Sequence, residues 1–258
     1  MPILDTLLDA LPADRAVRSV HVGIHWTAVC LDGGTDGDPP RCGLASTLGP
    51  VESPGHQHEH GHGSVLDAGD LCDFSAHELA ARARSHSGPE RSIGWAAINA
   101  LIAPDESLSV ELNARDFLLE RGAGKRIAMV GHFPFVEALR MRSESLAILE
   151  QRPAPGDQPA SAAPEVLPEA DMVAITSLTL VNGTFEALAR LWRPDAIVMM
   201  LGPSTPFSPL LFERGVDVLS GTVVDDPPEA IQTLCQGASF RQMRGVRLMT
   251  MARAGLSE

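Results

Sequence analysis

The sequence contains no tyrosine, only four cysteines, and just 4% aromatic residues. The lack of tyrosine excludes any catalytic scheme built on a phenolic hydroxyl. Cys30, Cys42, Cys72 and Cys235 form no CxxC pair, so the local thiolate pairs of zinc ribbons and dithiol redox motifs are excluded. No run of about 18 apolar residues occurs, so no helical membrane span is expected. The first 13 residues carry Asp5 and Asp9 and lack the basic stretch of a secretory leader. The expectation is a cytoplasmic protein with reduced cysteines, with Cys30 and Cys42 placed so that they could fall on neighbouring strands. Positive charge is also scarce: 20 basic against 33 acidic residues give a net charge of −13. That balance argues against nucleic acid or an anionic membrane as partner.

What is present is enough apolar material for a core, 44% of 258 residues, in one large or two small domains. Ile3, Leu4, Leu7, Leu8 and Leu11 recur at helical spacing. Residues 19–31 alternate and predict one strand, with Val20, Val22, Ile24, Trp26 and Ala28 on one face and His21, Gly23, His25 and Thr27 on the other. Its partner is residues 41–48, across a turn-rich loop. Ser75 and Glu78 have capping-box spacing and open a helix to about Arg84. Residues 87–90 interrupt it, and 92–102 form a second helix, apolar nearly all round and therefore buried. In that helix Gly94 permits close backbone approach. Asn99 is a polar amide in apolar company, to be satisfied either by structural partners or by a ligand. Residues 1–121 thus read as a small α+β domain.

Between these elements His56, His58, His60 and His62 recur at every second position among glycines. In an extended chain the four imidazoles point the same way. Imidazole suits Ni, Co, Zn or Cu, so a divalent transition metal is the expected cofactor or cargo. The plainer reading is a loop that binds metal only loosely.

Residues 122–258 change to alternating strands and helices, which predicts a doubly wound, mostly parallel sheet. Strands are expected over 127–130, 146–149, 171–176, 195–201, 216–219 and 246–251. Helices are expected over 133–141, 185–191 and from Pro227 to about Cys235, and 152–168 reads as an exposed loop or flap. Ligands of such sheets sit at the carboxyl ends of strands. The turns there carry Gly131, His132 and Pro134, then Thr176, Asn182 and Thr184, then Gly202, Ser204 and Thr205. With Asn99 these form the candidate ligand-binding set, and His132 joins the four clustered histidines as a candidate metal ligand. Glu150, ending the second strand, sits where a carboxylate can hold ribose hydroxyls, but the first turn lacks GxGxxG. Helix starts at Pro134, Thr184 and Pro206 are candidate anion cradles.

The pieces Gly43-Leu44-Ala45, residues 93–100, Val130-Gly131-His132-Phe133-Pro134, Asp171 with Thr176, residues 180–184, residues 202–206 and residues 215–221 together resemble the DUF364 heavy-metal chelation proteins, whose N-terminal half is often a DUF4213 domain. The resemblance implies an α/β protein: an enolase-N-terminal-like domain joined to a Rossmann-like domain, with a site in the cleft between them. It implies heavy-metal handling, with a metal ion or a small-molecule metal chelate as partner, and brings no catalytic mechanism. The run from His56 to His62 is no part of that family pattern. An enzyme acting on a small anionic metabolite at the strand-end turns is the alternative, with His132 as acid or base. Homo-oligomer formation is left open.

Overall fold

A computed structural model describes residues 1–34, 37–49, 65–110 and 112–256. His56, His58, His60 and His62 lie outside the described residues. Helix α1 (Ile3–Asp9) buries Ile3 and Leu7. It precedes an antiparallel sheet of β1 (Val17–Val22), β2 (Trp26–Leu31) and β3 (Arg41–Ser46), in that order. The single strand expected over 19–31 is therefore two. The chain reverses at Gly23, whose N–H donates to the Trp26 carbonyl (2.9 Å). Period-two alternation continues through the reversal and hides it, but the faces change: Ala28 lies opposite His21, and Thr27 opposite Val22. His21 is half-buried and His25 exposed, and the reversal puts His21 on β1 and His25 in the turn before β2. Cys30 and Cys42 pair directly across β2 and β3, with Cα atoms 4.0 Å apart, and are joined by a disulfide. The expectation of reduced cysteines is corrected for this pair; Cys72 and Cys235 are free.

Helix α2 (Ala76–Ala81) carries the expected capping box, with Ser75 Oγ accepting from the Glu78 N–H and Glu78 accepting from the Ser75 N–H. Helix α3 (Gly88–Leu101) starts four residues earlier than expected, because Pro89 falls in its first turn, where no N–H is needed. Nearly all of α3 is buried. A Cβ on Gly94 would lie 2.0 Å from the Ala83 nitrogen, so close approach to the turn after α2 requires glycine there. The opposite side of the small sheet packs Ala28, Cys30, Cys42 and Leu44 against Leu234 from the C-terminal half.

Helix α4 (Ala114–Arg121) is capped by Asn113 and leads into β4 (Arg126–Val130). There follow α5 (Val136–Arg140), β5 (Ser145–Glu150), β6 (Gln158–Pro159), α6 (Ala163–Val166), β7 (Met172–Thr176), α7 (Leu178–Val181), α8 (Phe185–Leu188), β8 (Ile197–Leu201), β9 (Val218–Val224), α9 (Pro227–Cys235) and β10 (Val246–Ala252). The seven strands run β10-β9-β8-β7-β4-β5-β6, all parallel except β10. The chain winds outward from β4 through β5 to β6, then returns to lay β7 on the other side of β4. That is the doubly wound topology, and the gap between the ends of β4 and β7 is its switch point. One face of the sheet packs on Phe117, Leu118 and Leu139. The other shares a continuous core with α1 and α3.

Three local expectations change. The helix of 133–141 shrinks to α5, so Pro134 begins no helix. Residues 177–182, expected as a turn, contain α7. The stretch 152–168 is more than an exposed loop: it holds β6 and α6, and Ala163 and Leu167 are buried.

At the amino-terminal rim Asp171 accepts from the Arg126 side chain and backbone (3.2 and 2.9 Å) and from Arg193 Nη2 (3.0 Å). Hydrogen bonds from Arg126 foremost, then the nearby guanidinium charge, hold its carboxyl well below the ordinary range. The folded-state value is depressed, so this stabilisation is complete above the unfolded carboxyl pKa of about 4 and is lost as pH falls through the folded value. Asp171→Asn is expected to flatten the acid limb of stability, measured by urea unfolding at a series of pH values below neutrality. An acid limb identical to that of the parent would contradict this assignment.

Candidate functional site

The residues expected to form one site divide between two cavities, and several line neither. The first cavity, 390 Å³, lies at the switch point and is lined by Gly131, Thr176, Asn182 and Thr184 from the expected set. Gly131 has φ +97, and a Cβ there would meet Thr176 Cγ2 at 3.0 Å; only glycine lets β4 end this close to β7. Asn182 Oδ1 accepts from both the N–H and the hydroxyl of Thr184 (3.0 and 2.7 Å). Its carbonyl accepts from Arg91 Nη1 of α3 (3.4 Å). Burial pushes the Arg91 guanidinium pKa down.

The second cavity, 330 Å³, lies in the seam where β3 and the end of α3 meet β9 and β10, and Asn99 and Thr205 line it. Asn99 Nδ2 donates to the carbonyls of Leu44 (2.7 Å) and Ser204 (3.2 Å), so one amide ties α3 to both halves. Asn99 Oδ1 and Thr222 Oγ1 are buried there without a hydrogen-bond partner. Two guanidiniums also line the cavity. Arg41 donates to the Leu101 carbonyl (3.3 Å), and Arg247 is paired with Glu106 (2.8 Å) and Asp225 (3.2 Å).

Ser204 and Gly202 line neither cavity. Ser204 is fully buried, and its hydroxyl accepts from the Ser46 N–H (2.8 Å). Gly202, at φ +126, passes so close to Ser177 that a Cβ would sit 2.6 Å from its Oγ. His132 and Pro134 line neither cavity. His132 is half-exposed and faces Asp157 (Nδ1 to Oδ2 3.3 Å), a tie to the loop before β6.

The anion cradles are corrected as well. Pro206 starts no helix, and α5, α7 and α8 have five, four and four residues without side-chain caps. Helices of one turn build no useful terminal dipole. A bare metal ion fits the described residues no better. Among them no three His, Cys, Asp or Glu side chains come together, and Cys42 is held in a disulfide.

Comparison with known proteins places this architecture. A family model, DUF364, described as "Putative heavy-metal chelation", matches residues 113–253, more than half of the chain. The chain belongs to the DUF364 family. A second model with the same description, DUF4213, matches residues 4–102. A DUF364-family protein of unknown function from Desulfitobacterium hafniense is 25% identical in its crystal structure, with a TM-score of 0.78, over 97% of this chain and 98% of that one. One from Pyrococcus horikoshii, at 21% identity, has the same TM-score and coverage and shares the fold. An uncharacterized protein of Methanocaldococcus jannaschii is 29% identical over 194 residues, 72% of this chain and 73% of its own length.

Within this DUF364 fold, Arg41, Thr222 and Arg247 line the seam cavity and were missed by sequence reasoning. Each sits in an ordinary strand pattern, and only the packing of β3 beside β9 brings them together. No helix among the described residues is long and apolar enough to cross a membrane.

Proposed function

We propose that this DUF364 protein handles a transition-metal ion, Ni, Co, Zn or Cu, as cargo and holds it in the seam cavity as a small-molecule chelate. The observation that carries this reading is the pair of unpartnered buried atoms, Asn99 Oδ1 and Thr222 Oγ1, in a cavity lined by Arg41 and Arg247. A bare cation would meet two guanidiniums there and only one lining carboxylate, Glu106, which is already paired with Arg247. An ion already wrapped in carboxylates offers outer oxygens to the guanidinium N–H groups and the Thr222 hydroxyl, while a hydroxyl or metal-bound water of the chelate can donate to Asn99 Oδ1. Residues 1–121 and 122–258 act as the two halves that enclose it.

His56, His58, His60 and His62 supply loose capture of the free ion. Two bonds flank residues 50–64: Leu48 N donates to Ser92 Oγ (2.9 Å) and Leu66 N to Glu90 Oε1 (2.9 Å), so both flanks sit at the start of α3. Capture and chelate binding rest on different residues and separate experimentally. Calorimetric titration of the full chain uses each ion free and as its citrate complex. Replacing all four histidines by alanine is expected to weaken free-ion binding to a Kd above about 100 µM. Arg247→Gln is expected to weaken citrate-complex binding about tenfold while leaving free-ion binding unchanged. If the parent binds neither form more tightly than about 100 µM, the proposal fails.

A further inference from the structure

The switch-point cavity has no part in the chelate reading, and its chemistry differs from that of the seam. Its walls are mostly apolar, with Val130, Leu149, Leu178 and Leu188 among them, and α6 closes the side opposite β4 and β7. At 390 Å³ it falls within the range of small-molecule sites, roughly 300–1,000 Å³. One acidic residue lines it, Glu150 at the end of β5. Among the described residues the Glu150 carboxylate has neither an ion-pair nor a hydrogen-bond partner. Glu150 is only half-buried, so its carboxylate is free to accept from a bound molecule.

Its position is informative. In a doubly wound sheet, an acidic residue ending the second strand, about 20 residues beyond the first turn, accepts from ribose hydroxyls. Glu150 follows Gly131 by 19 positions (150 − 131) and ends the second strand of this sheet. The phosphate half of that arrangement is missing. The first turn is Gly131-His132-Phe133-Pro134, α5 has only five residues, and the Phe133 and Phe135 rings stack at 5.6 Å near its start. No N–H cradle for a pyrophosphate remains. Asn182 Nδ2 is a spare donor, since Thr184 occupies only Oδ1.

We infer that the switch-point cavity is a binding site for a ribonucleoside without phosphates, its base between the leucines and its ribose diol on Glu150. The site is independent of metal handling, so the experiment is run without metal. The full chain is titrated with adenosine, 2′-deoxyadenosine, AMP and NAD, followed by calorimetry and by ligand-observed NMR. Adenosine is expected to bind saturably, with the deoxy analogue at least about tenfold weaker for want of a charge-assisted hydrogen bond. AMP and NAD are expected to bind more weakly than adenosine. Glu150→Gln is expected to reduce adenosine affinity about tenfold and to abolish the preference for the ribose form. Absence of saturable adenosine binding by the parent, or equal affinity for adenosine and its deoxy analogue, overturns the inference. The parent series decides it even if the variant folds poorly, and neither result bears on the chelate titration.

Discussion

Gly43→Ala is expected to cost at least about 3 kcal/mol of folding stability, although it adds a single methyl group. A Cβ at this position would lie 2.2 Å from the Ala100 nitrogen and 2.3 Å from the Ala96 carbonyl oxygen of α3. Both are backbone atoms of a buried helix, so neither can rotate away as a side-chain tip could. Relief requires α3 to lift from β3. That would loosen its packing on β2 and β3, its close approach to the turn after α2 at Gly94, and its tie to the Ser204 loop through Asn99. Against a typical total stability of about 5–15 kcal/mol, much of the margin would go. Gly49→Ala is the control: Gly49 is exposed, and a Cβ there would meet nothing within 4 Å among the described residues. It is expected to change stability by less than about 0.5 kcal/mol. Thermal and urea unfolding of the two variants beside the parent decide the matter, and equal midpoints for all three would remove α3 from its central place.

The parts of the fold that were legible in the sequence are those where a local pattern and the tertiary environment agree. The strands at β4, β5, β7 and β8 are short apolar runs because each is covered on both faces, so composition alone reveals them. Ser75 and Glu78 encode their helix start through two hydrogen bonds made within four residues. The hairpin at Gly23 was illegible for the opposite reason. Both its strands obey the same period, and the reversal is marked only by one glycine and by a change of face that no period count detects. At Pro134 and Pro206 the sequence carries helix-start residues, yet the chain is taken up by close packing. Phe133 stacks on Phe135, and Thr205 bonds back to the Gly202 and Ser220 carbonyls (2.7 and 3.1 Å). The site was half legible. Small and polar residues at strand ends marked Gly131, Thr176 and Asn182, because a crevice at the carboxyl rim selects such residues. Arg41, Thr222 and Arg247 were invisible, because what makes them a site is a contact between two sheets distant in sequence.

Asn99→Asp tests that contact with almost no change of shape. The amide nitrogen faces two carbonyl oxygens, of Leu44 at 2.7 Å and Ser204 at 3.2 Å. An ionised carboxylate puts a charged acceptor where both neighbours are acceptors too, with no donor among the three, at a cost of more than about 3 kcal/mol. A protonated carboxyl can still give one hydrogen to the Leu44 carbonyl. Folding therefore raises the pKa of the introduced group above its unfolded value of about 4. The sign follows from linkage. The penalty is absent while both states are protonated, grows as pH rises above the unfolded value, and is full above the raised folded value. Asn99→Ala lacks the titrating group, so it carries a fixed loss of about 2–4 kcal/mol from two carbonyls left without a donor. Urea unfolding at a series of pH values is expected to show the two variants crossing, with the Asp form the more stable in acid and the less stable above neutrality. Parallel curves would mean that water already reaches these carbonyls. The halves would then not be clamped at Asn99, and Oδ1 would not be the fixed, unpartnered acceptor on which recognition of a chelate in the seam depends.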